Sequence, residues 1–163
     1  MASPAPAPTP APTPAPTDLQ PGPAATNEMA LDHYKKFMKM ASDALESWAN
    51  GTSTLSQEMK ADLASSFLDE HRIFWLRWRT VNKRLMTTSP IRWIDDRGDD
   101  IGRKLLQIRN KLRTKQEVSV VTKGLMREVV KIWFGLKYNE YFGISGVLHG
   151  RSKNGRTDWG RKR

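Results

Sequence analysis

The sequence contains no cysteine. Disulfide bonds, thiolate nucleophiles and cysteine metal sites are therefore excluded, and the composition fits a reducing compartment. No apolar run approaches the roughly 18 residues that a membrane-spanning helix needs. The N-terminus lacks the basic and apolar regions of a secretory signal, and its first basic residue is Lys35. We therefore expect an intracellular protein of the nucleus or cytoplasm that is not secreted and does not span a membrane.

Motifs that carry catalysis are also missing. The sequence has neither a glycine-rich phosphate loop nor a nucleophile elbow, and His33, His71 and His149 are too far apart for a metal-ligand spacing. Asp69 and Glu70 directly precede His71, and salt-bridge and helix-dipole roles explain that triplet. We predict that the protein is not an enzyme and that it has no metal site, cofactor or small-molecule substrate.

Four aspartates within the stretch SPIRWIDDRGDD invite a metal interpretation: Asp95, Asp96, Asp99 and Asp100. Hard cations do bind clustered carboxylates, but this spacing matches no calcium loop and lacks a distal bidentate glutamate. The favoured interpretation is that Asp99 or Asp100 caps the helix that follows.

The composition divides the chain into three parts. Residues 1–26 are almost entirely Pro, Ala and Thr, which favours a disordered tail. Residues 27–142 hold most of the large apolar side chains and form the predicted helical domain. Residues 143–163 are rich in Gly, Arg and Lys and are expected to be a flexible basic tail. The predicted fold is all-α, a compact bundle of four to five helices.

Apolar spacing and capping residues place the first helices. The first is expected over residues 27–50, with Asn27 as its N-cap and Asn50-Gly51 as its end. A second helix opens at a capping box of Thr54 and Gln57 and runs until Pro90 breaks it. Its length favours a bend or short interruption near Ser65-Ser66, because a straight helix would outreach a domain of this size.

The stretch from residue 67 to 86 is the most aromatic part of the sequence. Apolar side chains recur along one face of a helix: Phe67, Phe74, Trp78, Val81 and Leu85. Ile73 and Leu76 point away from that face, so the helix is apolar on nearly every side. Such a helix is expected in the middle of a bundle.

Two further helical regions follow a connection at residues 89–100. The third helix is expected over residues 101–115, and residues 116–136 contain the fourth helical region. Gly124 leaves open whether that region is one helix or a helix-turn-helix. Its predicted buried face is formed by Val118, Val121, Leu125, Val129 and Ile132.

Residues 131–134, Lys-Ile-Trp-Phe, resemble the core of a homeodomain recognition helix. Leu136 stands where that family has its adenine-reading Asn, Gly135 where a Gln is expected, and Tyr138 where an Arg is expected. No base-reading role is therefore carried over from the resemblance.

Positive charge is abundant and unevenly distributed. The formal net charge is +10, and residues 71–163 hold 23 Lys/Arg against eight Asp/Glu, whereas residues 1–70 hold four against nine. A field of this sign favours polyanions, although solubility or an acidic protein partner would also explain it.

The candidate contact residues fall into three groups. The third helix contributes six cations with no acid in the segment: Arg103, Lys104, Arg109, Lys111, Arg113 and Lys115. The end of the aromatic helix contributes Arg77, Arg79, Lys83 and Arg84. The C-terminal tail contributes Arg151, Lys153, Arg156, Arg161, Lys162 and Arg163, with Trp159 available to stack on an unpaired base.

These groups predict a nucleic-acid-binding protein that contacts mainly the phosphate backbone, with DNA and RNA both open. The alternative is a self-associating helical assembly or adaptor protein of the coat or matrix type.

Overall fold

Four long helices and a short fifth follow one another in the computed structural model, which describes residues 26–114 and 117–143. They are α1 (Asn27–Asn50), α2 (Gln57–Val81), α3 (Ser89–Leu112), α4 (Val120–Lys137) and α5 (Glu140–Gly143), with a 3₁₀ turn at Lys83–Leu85. This part of the chain contains no strand, so the predicted all-α bundle is confirmed. The predicted tails lie outside the described residues, apart from Thr26 and Gly143.

The ends of α1 follow from local chemistry. The Thr26 hydroxyl accepts a hydrogen bond from the Met29 backbone N–H at 3.0 Å, so Thr26 is the N-cap rather than Asn27. Gly51 ends the helix with φ of 74°, a left-handed conformation that glycine adopts without a Cβ penalty. The predicted span of this helix is therefore confirmed, and its cap lies one residue earlier than expected.

The second helix differs from its prediction at both ends. Ser56, not Thr54, accepts the capping hydrogen bond, which comes from the Met59 N–H at 3.1 Å. The helix then runs without interruption past Ser65-Ser66 and ends at Val81. It fits the bundle because it is only 25 residues long, about 38 Å at 1.5 Å per residue.

Pro90 begins a helix instead of ending one. It lies in the first turn of α3, where its missing N–H is not needed and its fixed φ is already helical. The predicted connection at residues 89–100 is therefore helical, and the predicted third helix starts twelve residues too late.

The four long helices run alternately up and down around one core. α2 packs mainly on α3, and α1 mainly on α4, while α3 and α4 also share a broad contact. Hydrogen bonds fix the directions: Arg77 near the end of α2 bonds Asn27 at the start of α1, and Gln57 at the start of α2 bonds the Leu112 carbonyl at the end of α3. Trp133 late in α4 bonds Tyr34 early in α1, and Arg127 earlier in α4 bonds the Ala49 carbonyl at the end of α1, so these two helices are also antiparallel.

This topology gives the bundle two distinct ends. The proximal end is the one at which α1 and α3 begin and α2 and α4 end. The short helix α5, which ends at the last described residue, Gly143, follows α4 at this end. The distal end holds the starts of α2 and α4 and the ends of α1 and α3.

The aromatic face of α2 is buried as predicted, but α2 is not surrounded. Phe67, Phe74 and Trp78 lie in the core. Ile73 and Leu76, however, are 45% and 69% exposed. The prediction of a central helix is therefore wrong, because α2 forms one wall of a four-helix ring and has a solvent face.

The fourth region is a single helix, since α4 continues through Gly124 from Val120 to Lys137. The helix-turn-helix alternative is excluded. The buried face also differs from the predicted one: Thr122, Met126, Val129, Trp133 and Leu136 point inward, and Val121 is exposed. Ser119 caps the helix through the Thr122 N–H and thereby turns Thr122 towards the core.

A buried hydrogen-bond chain joins all four long helices. Trp133 Nε1 donates to the Tyr34 oxygen at 3.0 Å, and the Tyr34 hydroxyl lies 2.7 Å from His71 Nδ1. His71 Nε2 is 2.8 Å from the Gly98 carbonyl, which can only accept, so that nitrogen carries the ring proton. The side-chain polar atoms of Trp133, Tyr34 and His71 all have hydrogen-bond partners, and this network fixes the relative positions of the helices.

Within residues 26–114 and 117–143, no helix combines the length and apolar character needed to cross a membrane.

Candidate nucleic-acid interface

Two of the predicted α3 cations are already paired within the protein. Arg103 lies 2.8 Å from Asp99 and 3.1 Å from Asp100, and Lys104 lies 2.9 Å from Asp100 and 3.5 Å from Glu128. The hydrogen bond that Lys104 donates to the Asp100 carboxylate raises the pKa of Lys104. The expectation that the α3 cations have no acid beside them is wrong, because the helix begins twelve residues earlier and brings its aspartates to i−3 and i−4 positions.

Arg79 on α2 is paired across the bundle. Its guanidinium donates to Asp95 at 2.7 Å and lies 3.7 Å from Asp99. The Asp95 hydrogen bond raises the pKa of Arg79. A phosphate at Arg79 would therefore compete with a carboxylate that is already in place.

Three of the four α3 aspartates, Asp95, Asp99 and Asp100, thus pair with cations instead of capping the helix. Asp99 and Asp100 lie in the middle of α3, so the predicted capping role is wrong. Among the described residues, no group of three or more histidine, aspartate or glutamate side chains is arranged to hold a metal ion.

Three more predicted contact residues are hydrogen-bonded to neutral side chains. Arg77 bonds Asn27, Arg109 bonds Asn110, and Arg113 bonds Ser65. These bonds hold the guanidinium groups in place.

Lys83, Arg84 and Lys111 are exposed and have no hydrogen-bond or ion-pair partner in the described part of the chain. Lys111 lies at the distal end, whereas Lys83 and Arg84 lie at the proximal end. The other predicted contact residues fall outside the described residues: Lys115, Arg151, Lys153, Arg156, Trp159, Arg161, Lys162 and Arg163.

A cationic surface lies at the proximal end, where α2 turns into α3. We call it the basic corner and define it as Lys83, Arg84, Arg92, Trp93 and Arg97. Asn82 stops α2 by bonding the Trp78 carbonyl, and the 3₁₀ turn then presents Lys83 and Arg84 to solvent. Pro90 starts α3 at once, which places Arg92 in its first turn.

Arg92 resembles the two turn residues in being exposed and without a partner among the residues that the structure describes. Residues 83–97 contain two acids, Asp95 and Asp96. Asp95 pairs with Arg79, and Asp96 forms no ion pair among the described residues. The corner therefore keeps a net positive charge, because its four cations outnumber that one free acid. This is the arrangement that releases counterions when a polyanion binds.

Trp93 and Arg97 form a stacked pair on α3. The Arg97 guanidinium carbon lies 4.6 Å from the centroid of the Trp93 ring. Their i, i+4 spacing puts both side chains on one face of the helix, so the helix itself holds the pair together.

Half of the net charge lies in the described residues. They hold 20 Lys/Arg and 15 Asp/Glu, a net +5 against +10 for the whole chain. The stretch after Gly143 holds six Lys/Arg and one Asp. Since Gly143 is at the proximal end, the chain enters this basic stretch from the same end as the basic corner.

A cleft of about 310 Å³ between α2 and α3 is a poorer candidate. Its floor includes His71, and burial lowers the pKa of that histidine to about 4, so the ring is neutral near pH 7. Both ring nitrogens already have partners. Of the arginines that line the cleft, Arg79 and Arg103 are ion-paired with Asp99. Arg72 is the lining cation without an ion pair in the described part of the chain, so the cleft offers an anion fewer free cations than the basic corner does.

Sequence reasoning missed Arg92, Trp93 and Arg97. They were missed because residues 89–100 were interpreted as a connection, which hid the helix face that Trp93 and Arg97 share. The signal that could have revealed it is the i, i+4 spacing of Trp93 and Arg97 immediately after a proline that can start a helix.

Comparisons of the chain with models of protein families, with curated protein sequences and with solved structures find no match.

Proposed function

We propose that the protein binds nucleic acid, mainly through phosphates, using the basic corner together with the basic stretch that follows Gly143. One observation carries the proposal. Lys83, Arg84 and Arg92 are exposed without acidic partners among the described residues, at the end of the bundle from which the chain continues into six further Lys/Arg.

Whether a cation is already paired with an acid decides how strongly it can contribute to phosphate binding. A free surface cation loses only water and loosely held counterions when a phosphate approaches, and counterion release favours binding. Arg103 or Lys104 would first have to weaken contacts with Asp99 or Asp100. The proposal therefore gives the basic corner, which includes the sequence-predicted Lys83 and Arg84, more weight than the six predicted cations of residues 101–115.

Under this proposal the protein is a binding protein and not an enzyme, it needs no cofactor, and it works in the nucleus or the cytoplasm. Phosphate contacts carry no base sequence, so binding is expected to be largely independent of sequence.

The test is the affinity for random-sequence duplex DNA and for single-stranded RNA across a series of salt concentrations. On duplex DNA, each contacted phosphate contributes about −0.9 to the slope of log affinity against log salt. At least about four contacts are expected from the corner and the following basic stretch, which gives a slope near −3.6 or steeper. Absence of binding at low salt, or a slope near zero, would overturn the proposal.

Self-association has less support from the structure. The exposed large apolar side chains of the described residues are divided between the helices. They are Met29 and Met40 on α1, Met59, Leu63, Ile73 and Leu76 on α2, Trp93 on α3, Val120 and Val121 at the start of α4, and Phe134 and Tyr138 at its end. Each group is small, whereas stable interfaces bury about 800 Å² on each partner. Sedimentation of nuclease-treated protein at high salt distinguishes the two: we expect a monomer, and a salt-resistant dimer would favour the alternative.

A further inference from the structure

Trp93 differs from every other tryptophan that the structure describes. Trp48, Trp75, Trp78 and Trp133 are at most 5% exposed and form part of the core, whereas Trp93 is 42% exposed. An indole is the largest apolar side chain, and leaving it in water forgoes the free energy that its burial would supply. A single exposed apolar residue is common on protein surfaces, so the surroundings of Trp93 decide what it means.

The neighbouring side chain of Arg97 lies over the indole, and much of Trp93 is exposed to solvent. Arg97 covers one face of the ring, at 4.6 Å from its centroid. The position one turn earlier is Ser89, the first residue of α3, so no long side chain from a preceding turn overlies the ring. We take the 42% exposure of Trp93 to include part of the ring face that Arg97 does not cover.

This geometry matches the recognition of unpaired bases. A nucleobase stacks on an aromatic face irrespective of its identity, and a guanidinium on the far side of the ring adds a favourable cation–π contact. Paired bases in a duplex are already stacked on both faces and cannot reach such a ring. Arg92, next to Trp93 in the chain, and Lys83 and Arg84 at the same end of the bundle supply charges for the flanking phosphates.

We propose that Trp93 is a stacking platform for an unpaired nucleobase, so that the partner is single-stranded nucleic acid in preference to duplex. This inference rests on the proposed function and narrows it. In the bound state the base covers the open indole face, Arg97 supports the ring from behind, and the neighbouring cations hold the strand by its phosphates.

The experiment measures the affinity of the full chain for oligothymidylate, for oligouridylate and for a DNA duplex of the same length. The variants are Trp93→Ala, Trp93→Phe and, as a control, Phe134→Ala, which removes another exposed aromatic side chain, 64% exposed against 42% for Trp93. Near-UV circular dichroism and thermal melting check that each variant is folded.

The parent is expected to bind both single strands more tightly than the duplex. Trp93→Ala should weaken single-strand binding about fivefold or more, since one stacked base contributes that much affinity. Trp93→Phe should retain part of the affinity, and neither change should alter the salt slope, because no charge is removed. Phe134→Ala should behave as the parent does. Comparison of the affinities for oligouridylate and oligothymidylate shows whether the protein prefers a single strand of RNA or of DNA.

The outcomes separate the two proposals. If the parent binds neither single strand nor duplex, the proposed function itself is wrong. If the parent binds both with a steep salt slope, but Trp93→Ala leaves the ratio of single-strand to duplex affinity unchanged, the phosphate interface stands and the stacking platform is rejected. Equal losses in Trp93→Ala and Phe134→Ala would also reject it.

Discussion

The indole of Trp75 on α2 lies directly against the backbone of α3 at Gly98. A Cβ atom on residue 98 would overlap the indole carbons Cε2 and Cζ2. Trp75 Nε1 also reaches Asp95 Oδ1 at 3.4 Å, one turn before Gly98. The close contact between α2 and α3 therefore depends on the missing side chain, and this contact positions the helices that carry the basic corner.

Gly98→Ala is accordingly expected to lower the free energy of unfolding by about 3 kcal/mol or more, since a rigid, buried indole cannot move aside without opening the core. The matched control is Gly124→Ala in the middle of α4, where no atom lies within 4 Å of the added Cβ. That change should stabilise the protein by up to about 1 kcal/mol through helix propensity. Urea unfolding measures both variants; equal effects would contradict the packing described for Trp75.

His71 should make stability depend on pH. Burial lowers its pKa from 6.5 to about 4 in the folded state, with Arg72 adding to the shift and Asp99 opposing it. Because the folded pKa is depressed, the stability contribution is complete above about pH 6.5 and is lost as the pH falls towards 4. The slope should approach about 1.4 kcal/mol per pH unit in that window.

His71→Gln removes the titrating group and should flatten that slope, although the variant is less stable at neutral pH. Glu70 also titrates: burial raises its pKa, and the hydrogen bond with His33 opposes this. Its contribution is present in both proteins and cancels in the difference. Urea unfolding at several pH values measures the slope of the unfolding free energy against pH. An unchanged slope in the variant would show that His71 is not the neutral link between Tyr34 and Gly98.

Deletion of residues 151–163 should flatten the salt slope more than any single substitution in the helical bundle. The segment holds six Lys/Arg and one Asp, and each lost phosphate contact removes about 0.9 from the slope on duplex DNA. Thermal melting of the truncated protein is expected to match the full chain, which shows that the loss is in binding. A slope equal to that of the parent would assign the whole interface to the bundle.

Much of the fold could be predicted because its signals are local. The span of α1 follows from a glycine stop at Gly51 and a regular apolar stripe. Pro90 was misassigned because proline is compatible both with the end of one helix and with the first turn of the next. Which of these two roles Pro90 takes depends on whether Trp75 can pack on Gly98, and these two residues are far apart in the sequence.

The candidate site was predictable only in part for the same reason. Lysine and arginine positions can be counted in the sequence, but their pairing cannot. Arg79 meets Asp95 across two helices, and Arg103 and Lys104 meet acids that were assigned to a loop. Which cations stay free therefore depends on helix boundaries and on the packing of α2 against α3.

The central claim is that location, and not total charge, makes the basic corner the interface. Two charge-matched variants test it. One replaces Lys83, Arg84 and Arg92 by Gln at the proximal end; the other replaces Lys60, Lys111 and Lys123 by Gln at the distal end, where these residues also have no ion-pair partner in the described part of the chain.

The measurement is the salt dependence of the affinity for a random-sequence duplex DNA. The account predicts that the proximal variant binds about tenfold or more weakly at low salt, with a slope shallower by about 2 to 3, and that the distal variant keeps the slope of the parent. Equal losses in the two variants, or a proximal variant that binds as the parent does, would contradict it.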